Sequence, residues 1–262
     1  MTRMAKLQEI IRSKITSDGP ISVADYMALC LTHPEYGYYM HTDPLGAEGD
    51  FTTAPEMTQV FGELIGLWAV DTWHKLGSPA PFTLCELGPG RGTLMADALR
   101  AASMVPGFMA ALQLHLLDAS PALRAKQQEK LAQYNPRWIN SIEEVPDQPV
   151  IFIANEFFDA LPVRQFQQVG HEWKERRVGI NAQGTFAFTL QPSPEAPSFP
   201  MEDGAVVETS QACIDFAAAI ARPIVKNRGA ALVIDYGDDE VFGENLQAVA
   251  NHRGAHLLST PG

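Results

Sequence analysis

The residues best able to do chemistry stand at the ends of short apolar runs. In ELGPGRGTLMADALR, Glu86, Gly88, Gly90 and Gly92 lie between an apolar run and a helical one. Glycines at such a turn let backbone come close to a ligand. A dinucleotide fingerprint needs its third glycine where Thr93 stands, and it holds a pyrophosphate at the helix N-terminus. The spacing here is GxGxG, and Glu86 just before it would repel a phosphate. S-adenosylmethionine (SAM) carries a sulfonium and an ammonium instead, which a carboxylate at this point favours. The residues therefore favour SAM over NAD. Asp118 ends the next apolar run, where a carboxylate accepts from both ribose hydroxyls of either ligand. The plainer alternatives are a glycine turn that only tightens strand-to-helix packing, and a solvated strand end.

A second group follows a later run. In NEFFDALP, Asn155, Glu156 and Asp159 gather polar groups where open α/β folds bind ligands. One or both carboxylates can grip the N–H fork of a guanidinium bidentately and aim a nitrogen at a methyl group. A protonated, delocalised guanidinium is a poor nucleophile, so a carboxylate must also take a proton during or after transfer. The bland reading of Asp159 is an N-cap or a loop ion pair. Asp235, Asp238, Asp239 and Glu240 add charge after the last run, where a solvated face is the usual reading. Cys30, Cys85 and Cys213 form no CxxC pair, the histidines form no HExxH, and no metal is expected.

These groups need a sheet to hold them. From residue 82 onward, short apolar runs alternate with helical segments, which predicts an α/β, Rossmann-like parallel sheet with crossover helices. Strands are expected at Phe82 to Leu87, Leu112 to Asp118, Arg137 to Ile139, Val150 to Asn155 and Ala230 to Tyr236. Helices are expected after Gly92, Pro121 and Ala205. Alternation between Val163 and Leu190 predicts an inserted antiparallel β region at about 163–204.

The N-terminal part reads as helical. Met4, Leu7, Ile10, Ile11 and Ile15 share a stripe that ends at Asp18-Gly19-Pro20, and Ser22 with Asp25 has the form of a capping box. That second helix should stop near His33, before Pro34. Tyr36, Tyr38 and Tyr39 predict a short aromatic strand or turn. A long helix is expected from Ala54 to Leu76, with Thr53 as N-cap, Glu56 closing a capping box, and Met57, Val60, Phe61, Leu64 and Trp68 lying against the sheet. The expected domains are a helical cap or lid over residues 1–78 and a SAM-binding domain over 79–262.

Composition narrows the partners. Nineteen Lys and Arg against 31 Asp and Glu leave a formal charge of −12, which argues against nucleic acid or anionic lipid and for a cationic partner. No run of apolar residues is long enough to enter a membrane, no signal or transit peptide is evident, and the cysteine pattern fits a reducing compartment, so a cytoplasmic location is expected.

The motifs GDFTTAPEMTQVFGELIG (Gly49 to Gly66), ELGPGRGTLMADALR (Glu86 to Arg100), NEFFDALPVRQF (Asn155 to Phe166) and ALVIDYG (Ala231 to Gly237) strongly resemble the MidA family of SAM-dependent methyltransferases. The resemblance implies a class I methyltransferase fold, SAM as donor, and protein arginine N-methylation of a core subunit of respiratory complex I during assembly. It implies that Gly88, Gly90 and Gly92 line the methionine moiety, Asp118 the ribose, and Asn155 to Asp159 the methyl-transfer edge. Asp50, Thr52 and Thr53 become lid contacts over the cofactor. Asp118 stands where the longer Glu is expected. The family's sheet has two strands after DYG, whereas here only a helix-length segment is expected, which leaves the fifth strand as an edge. Two other functions fit the residues: methylation of a small-molecule or amide acceptor, and a non-catalytic SAM-binding assembly factor.

Overall fold

The computed structural model describes residues 2–41, 53–105, 107–237, 243–250, 253–259 and 261. Helix α1 (Arg3–Asp18) buries Leu7, Ile11 and Ile15 and stops at Gly19. Strand β1 (Ile21–Ser22) runs into α2 (Val23–Thr32), where Ser22 Oγ accepts from Asp25 N–H at 2.9 Å and donates to the Asp25 carboxylate at 2.7 Å. The tyrosine-rich segment closes in a helical turn, α3 (Tyr38–His41), not a strand.

The helix expected over 54–76 is two helices, α4 (Ala54–Met57) and α5 (Gln59–Lys75). Thr58 between them is extended, and its hydroxyl accepts from Val60 N–H to cap α5. Thr53 is the N-cap of α4 but makes no side-chain cap bond, so the expected capping box is absent. Glu56 is instead drawn away to the glycine turn.

The α/β alternation follows: β2 (Phe82–Leu87), α6 (Thr93–Ala102), α7 (Phe108–Ala111), β3 (Leu112–Leu117), α8 (Pro121–Leu131), β4 (Arg137–Ile139) and β5 (Val150–Asn155). The insertion supplies β6 (Arg164–Val169), β7 (Glu172–Ile180), β8 (Phe186–Gln191) and β9 (Val206–Thr209). Then come α9 (Gln211–Asn227), β10 (Gly229–Ile234) and a short hairpin, β11 (Ala248–Ala250) with β12 (Arg253–Ala255), where a helix-length segment was expected.

The chain forms two compact units, one of Met1–His41, Leu161–Ile214 and Gly237–Gly262, the other of Thr42–Ala160 and Asp215–Tyr236. The N-terminal helices thus group with the antiparallel insertion, and α5 groups with the parallel sheet, a division different from the one expected at residue 78. In the first unit the sheet order is β1-β7-β6-β9, with β8 on β7, and Leu7, Ile11, Tyr26 and Val178 form its core.

The second unit is a parallel sheet ordered β10-β5-β2-β3-β4. Strands β2 and β5 are continuous apolar runs because both faces are covered, whereas the edge strand β10 leaves Ala231 and Val233 exposed. Phe82, Leu84, Leu114, Leu116, Ile151 and Ile153 pack with α5 and α6, while Cys85, Leu87, Phe152 and Ala154 pack with Ile220 of α9. The stripe expected to bury α5 is right only in part: Phe61 and Trp68 pack, partly buried, against the core. Val60 and Leu64 are exposed, as is Met57 of α4, and the buried side is Gly62, Ile65, Gly66, Ala69, Val70 and Trp73. Two glycines decide this. A Cβ on Gly66 would lie 2.2 Å from Ala98 O and one on Gly62 2.7 Å from Asp97 Cβ, so α5 and α6 meet backbone to backbone.

Candidate active site

The chain leaves β2 to build β3 and β4 on one side, then returns to build β5 and β10 on the other. Strand order therefore reverses between β2 and β5, and a crevice opens there at the carboxyl ends, the standard ligand position of open α/β sheets. Both chemical groups read from the sequence sit at these ends.

On the β2 side, Glu86 is 2% exposed, and Gly88, Gly90 and Gly92 follow with φ of 64°, 54° and 75°. Three left-handed residues in five strongly favour glycine, and they fold the chain tightly into the N-terminus of α6. A Cβ on Gly88 would come within 2.9 Å of the Phe157 ring, so the β5 loop also demands a glycine here. Burial, and then the charge of Asp118, push Glu86 up to about 8. Its Oε2 is buried with no hydrogen-bond partner, and so is Asn155 Oδ1 across the crevice. Buried acceptors without donors are costly and are matched by a ligand's N–H groups when one binds.

Asp118 follows β3 and is held on both oxygens, by Ser120 N–H at 2.8 Å and by Gln127 Nε2 at 2.7 Å. Burial raises its carboxyl above the ordinary range, while those bonds and Arg124 oppose the rise. Gln127 was not foreseen. It also donates to Gly90 O at 2.7 Å and accepts from Trp138 Nε1 at 2.7 Å, so one buried amide ties the glycine turn to Asp118. The signal was present in the sequence: on α8, Leu123, Gln127 and Leu131 fall at i, i+4 and i+8, and a glutamine in an apolar stripe needs polar partners.

Glu56 joins the same side. Its carboxylate accepts from Thr93 Oγ at 2.6 Å and pairs with Arg91 at 3.5 Å, and Lys130 donates to Thr93 Oγ at 2.6 Å. This fastens α4 to the glycine turn. Asp50 and Thr52 lie outside the described residues, as do Asp238, Asp239 and Glu240.

On the β5 side, Asn155 ends the strand and Glu156 turns away with φ of +49°, a left-handed conformation rare for a residue with a side chain. Such strain concentrates at functional sites. Burial raises the Glu156 carboxyl, and Asp235 adds to the rise; Ala54 N–H, the Tyr236 hydroxyl and the Asn155 amide oppose it. That Ala54 donor follows Thr53, so the start of α4 borders this carboxylate. Asp159 is pushed up to about 6 by loss of solvent, then by the charges of Asp235 and Glu156, although its side chain still reaches the surface. Asp235, expected to belong to a solvated face, is instead tied to backbone. It accepts from Phe158 N–H at 3.0 Å, Asp159 N–H at 3.1 Å and Tyr236 N–H at 2.9 Å, and so holds the 156–159 turn in shape.

The residues present fit SAM. Buried Glu86 suits a cation, the orphaned acceptors suit its amino groups, and the glycine turn leaves backbone exposed for close approach. No His/Cys/Asp/Glu group able to hold a metal occurs among the described residues, and no helix among them is long and apolar enough to cross a membrane.

Comparisons with known proteins agree with this reading. The chain is 36% identical, over an alignment of 281 positions that covers 96% of its length, to the mitochondrial protein arginine methyltransferase NDUFAF7 of Danio rerio, and it covers 67% of that relative. The Homo sapiens protein of the same name is 34% identical, with 95% of this chain and 63% of that one covered. The chain thus spans about two thirds of the length of the curated relatives it matches. A crystal structure from Burkholderia thailandensis, bound to S-adenosyl-homocysteine, superposes with a TM-score of 0.73 at 27% identity, covering 83% of this chain and 59% of that one. These relatives correct one expectation. They are named mitochondrial, against the cytoplasmic location expected from the cysteine pattern and from the want of an evident signal or transit peptide. The physical reason is that the cysteine pattern does not differ in kind between two reducing compartments, and an address is read by receptors from a segment of its own. A family model described as putative S-adenosyl-L-methionine-dependent methyltransferase matches residues 64–262, and with these relatives it establishes that the chain belongs to that SAM-dependent methyltransferase family.

Proposed function

We propose that this chain carries the cofactor and acceptor edges of a protein arginine N-methyltransferase. Its Danio and human relatives bear that name. The observation that carries the reading is the pairing, across one crevice, of a buried carboxylate with an unmatched oxygen at Glu86 and a trio of carboxylates at Glu156, Asp159 and Asp235. SAM, when bound, supplies a methyl group already activated by the sulfonium.

Glu86 and Asn155 would accept from the cofactor's amino groups and Asp118 from its ribose, and the backbone of Gly88, Gly90 and Gly92 would let it approach closely. Asp118 is shorter than a Glu, and the two bonds it receives fix it in place. Thr53, at the start of α4, belongs to the lid side. Glu156 and Asp159 hold the acceptor guanidinium by its N–H fork, with Asn155 at the strand end beside them. With SAM bound, one nitrogen would take the methyl group as its bond to sulfur breaks, and the proton that nitrogen sheds would pass to Asp159. Asp159 near 6 is ionised at neutral pH yet basic enough to take it. Positioning supplies most of the rate, since the donor needs no further activation.

The target we propose is a core subunit of respiratory complex I during assembly, in mitochondria, following the sequence resemblance and the relatives' names. Incubation with methyl-labelled SAM and assembly intermediates, followed by mass spectrometry of the subunits, tests this. Methyl-arginine on one subunit is the expected result. Label confined to a small molecule or to amide nitrogen would overturn the acceptor. Tight SAM binding with no transfer would mark an assembly factor.

A further inference from the structure

The antiparallel unit holds a depression of about 450 Å³ between the β6–β7 face and the 192–200 loop. None of its lining residues takes part in the site above. Register builds its floor: Gln168 stands opposite Trp173, so both side chains leave one face of the sheet. The loop is fastened over that face at both ends. Arg164 donates to Ser193 Oγ at 3.4 Å and pairs with Glu195, and Trp173 Nε1 donates to Phe199 O at 2.7 Å. Trp173 and Phe199 meet edge to face with centroids 6.0 Å apart.

Two features have no folding explanation. Gln168 is 2% exposed and donates from Nε2 to Gly170 O at 3.1 Å, but its Oε1 is buried with no hydrogen-bond partner. Such an unmatched amide oxygen costs about 1–3 kcal/mol, which a ligand's N–H would recover. The residues around the depression also include Glu172 and His171, and neither Lys nor Arg. A fixed indole and a bare acceptor, with the acidic Glu172 at the exposed rim, are together the complement of a flat cation bearing N–H donors.

We propose that this depression is a docking site for the guanidinium of an arginine side chain on a basic segment of the protein acceptor. The identity of the partner rests on the proposed function; the binding chemistry does not. An ammonium is a compact, strongly hydrated charge and should bind less well than the planar guanidinium.

The test is titration of the full chain, without SAM, with N-acetylarginine amide and with the neutral, isosteric N-acetylcitrulline amide, read by nitrogen–proton NMR. Trp173→Phe assigns the indole signal. Saturable shifts are expected at the Trp173 indole N–H and the Gln168 side-chain amide, with Kd on the order of millimolar. The citrulline compound should bind at least about tenfold more weakly, and Glu172→Gln, an exposed substitution that spares the fold, should weaken the arginine compound about threefold. Silence at Trp173 up to about 20 mM, an equal response to citrulline, or an unchanged Glu172→Gln variant overturns the proposal. Because no methyl transfer is measured, failure here leaves the catalytic reading standing, and an inactive enzyme leaves this site standing.

Discussion

Glu86 and Asp159 are carboxylates at the carboxyl edge of one sheet, and both sit above their ordinary pKa range, yet their settings differ. Glu86 lies on a strand, sealed between covered faces, beside a turn that strongly favours glycine. Asp159 lies in a loop that reaches solvent, and what raises it is partly its own neighbours, Asp235 and Glu156. The first setting is a rigid socket of one shape. The second is a crowded charge cluster held by backbone N–H donors, which suits a cationic acceptor that must enter, lose a proton and leave. In the proposed function one carboxylate serves binding and the other proton transfer; burial is the largest cause of the rise in both, but Asp159 is raised by two neighbouring carboxylates where Glu86 has one.

The sharpest way to break this contrast is Asp159→Asn. We expect turnover to fall about 100- to 1,000-fold, the usual worth of a general base, with SAM affinity within about twofold of the parent by calorimetry. In the parent, turnover should rise with pH through about 6 as Asp159 loses its proton, and this limb should vanish in the variant. Next in size is Gly90→Val. A β-branched residue at φ of 54° costs about 1–3 kcal/mol in the turn alone, so SAM affinity should drop at least about tenfold in a protein that still folds. Unchanged affinity would remove the turn from the site.

Gln127→Leu should lower SAM affinity about threefold to tenfold, by freeing Asp118 and the Gly90 carbonyl from their shared donor, while Asp159 chemistry is retained. The smallest effect separates the two carboxylates by pH. Glu86 is raised from 4.5 to about 8, so the folded, unliganded protein holds a proton that the unfolded chain releases. Its contribution to stability is complete below about pH 4.5 and is lost as pH rises through about 8. SAM, a cation, favours the ionised form, so binding near pH 7 should release a proton, seen as a buffer-dependent heat. Glu86→Gln should abolish that release, and a release that persists in the variant would contradict the assignment.

The parallel strands were readable because strands buried on both faces are continuous apolar runs bounded by turn residues; β2, β4 and β5 lie at the expected residues. The glycine turn was readable because glycines at alternate positions after a strand mark left-handed backbone, and Gly88, Gly90 and Gly92 adopt it. The α5 face was not. Its two sides are both apolar, and the packing side is marked by Gly62 and Gly66, which no count of hydrophobicity registers. Glu56 was misread because the local capping pattern was satisfied in sequence, while Thr93 and Arg91, about forty positions away, won the carboxylate in space. The Glu156 strain and the backbone bonds to Asp235 are likewise long-range facts, invisible to spacing.

The seam at Gly62 and Gly66 has a consequence for anyone redesigning this protein. Helix α6 begins at the cofactor turn, and its separation from α5 is fixed by atoms that no rotamer can move aside. An engineer can rewrite the outer side of α5 at Val60 and Leu64, where the chain is open, and leave the turn where it is. A single methyl added at Gly66 would lever α6, and with it the mouth of the cofactor socket, out of place.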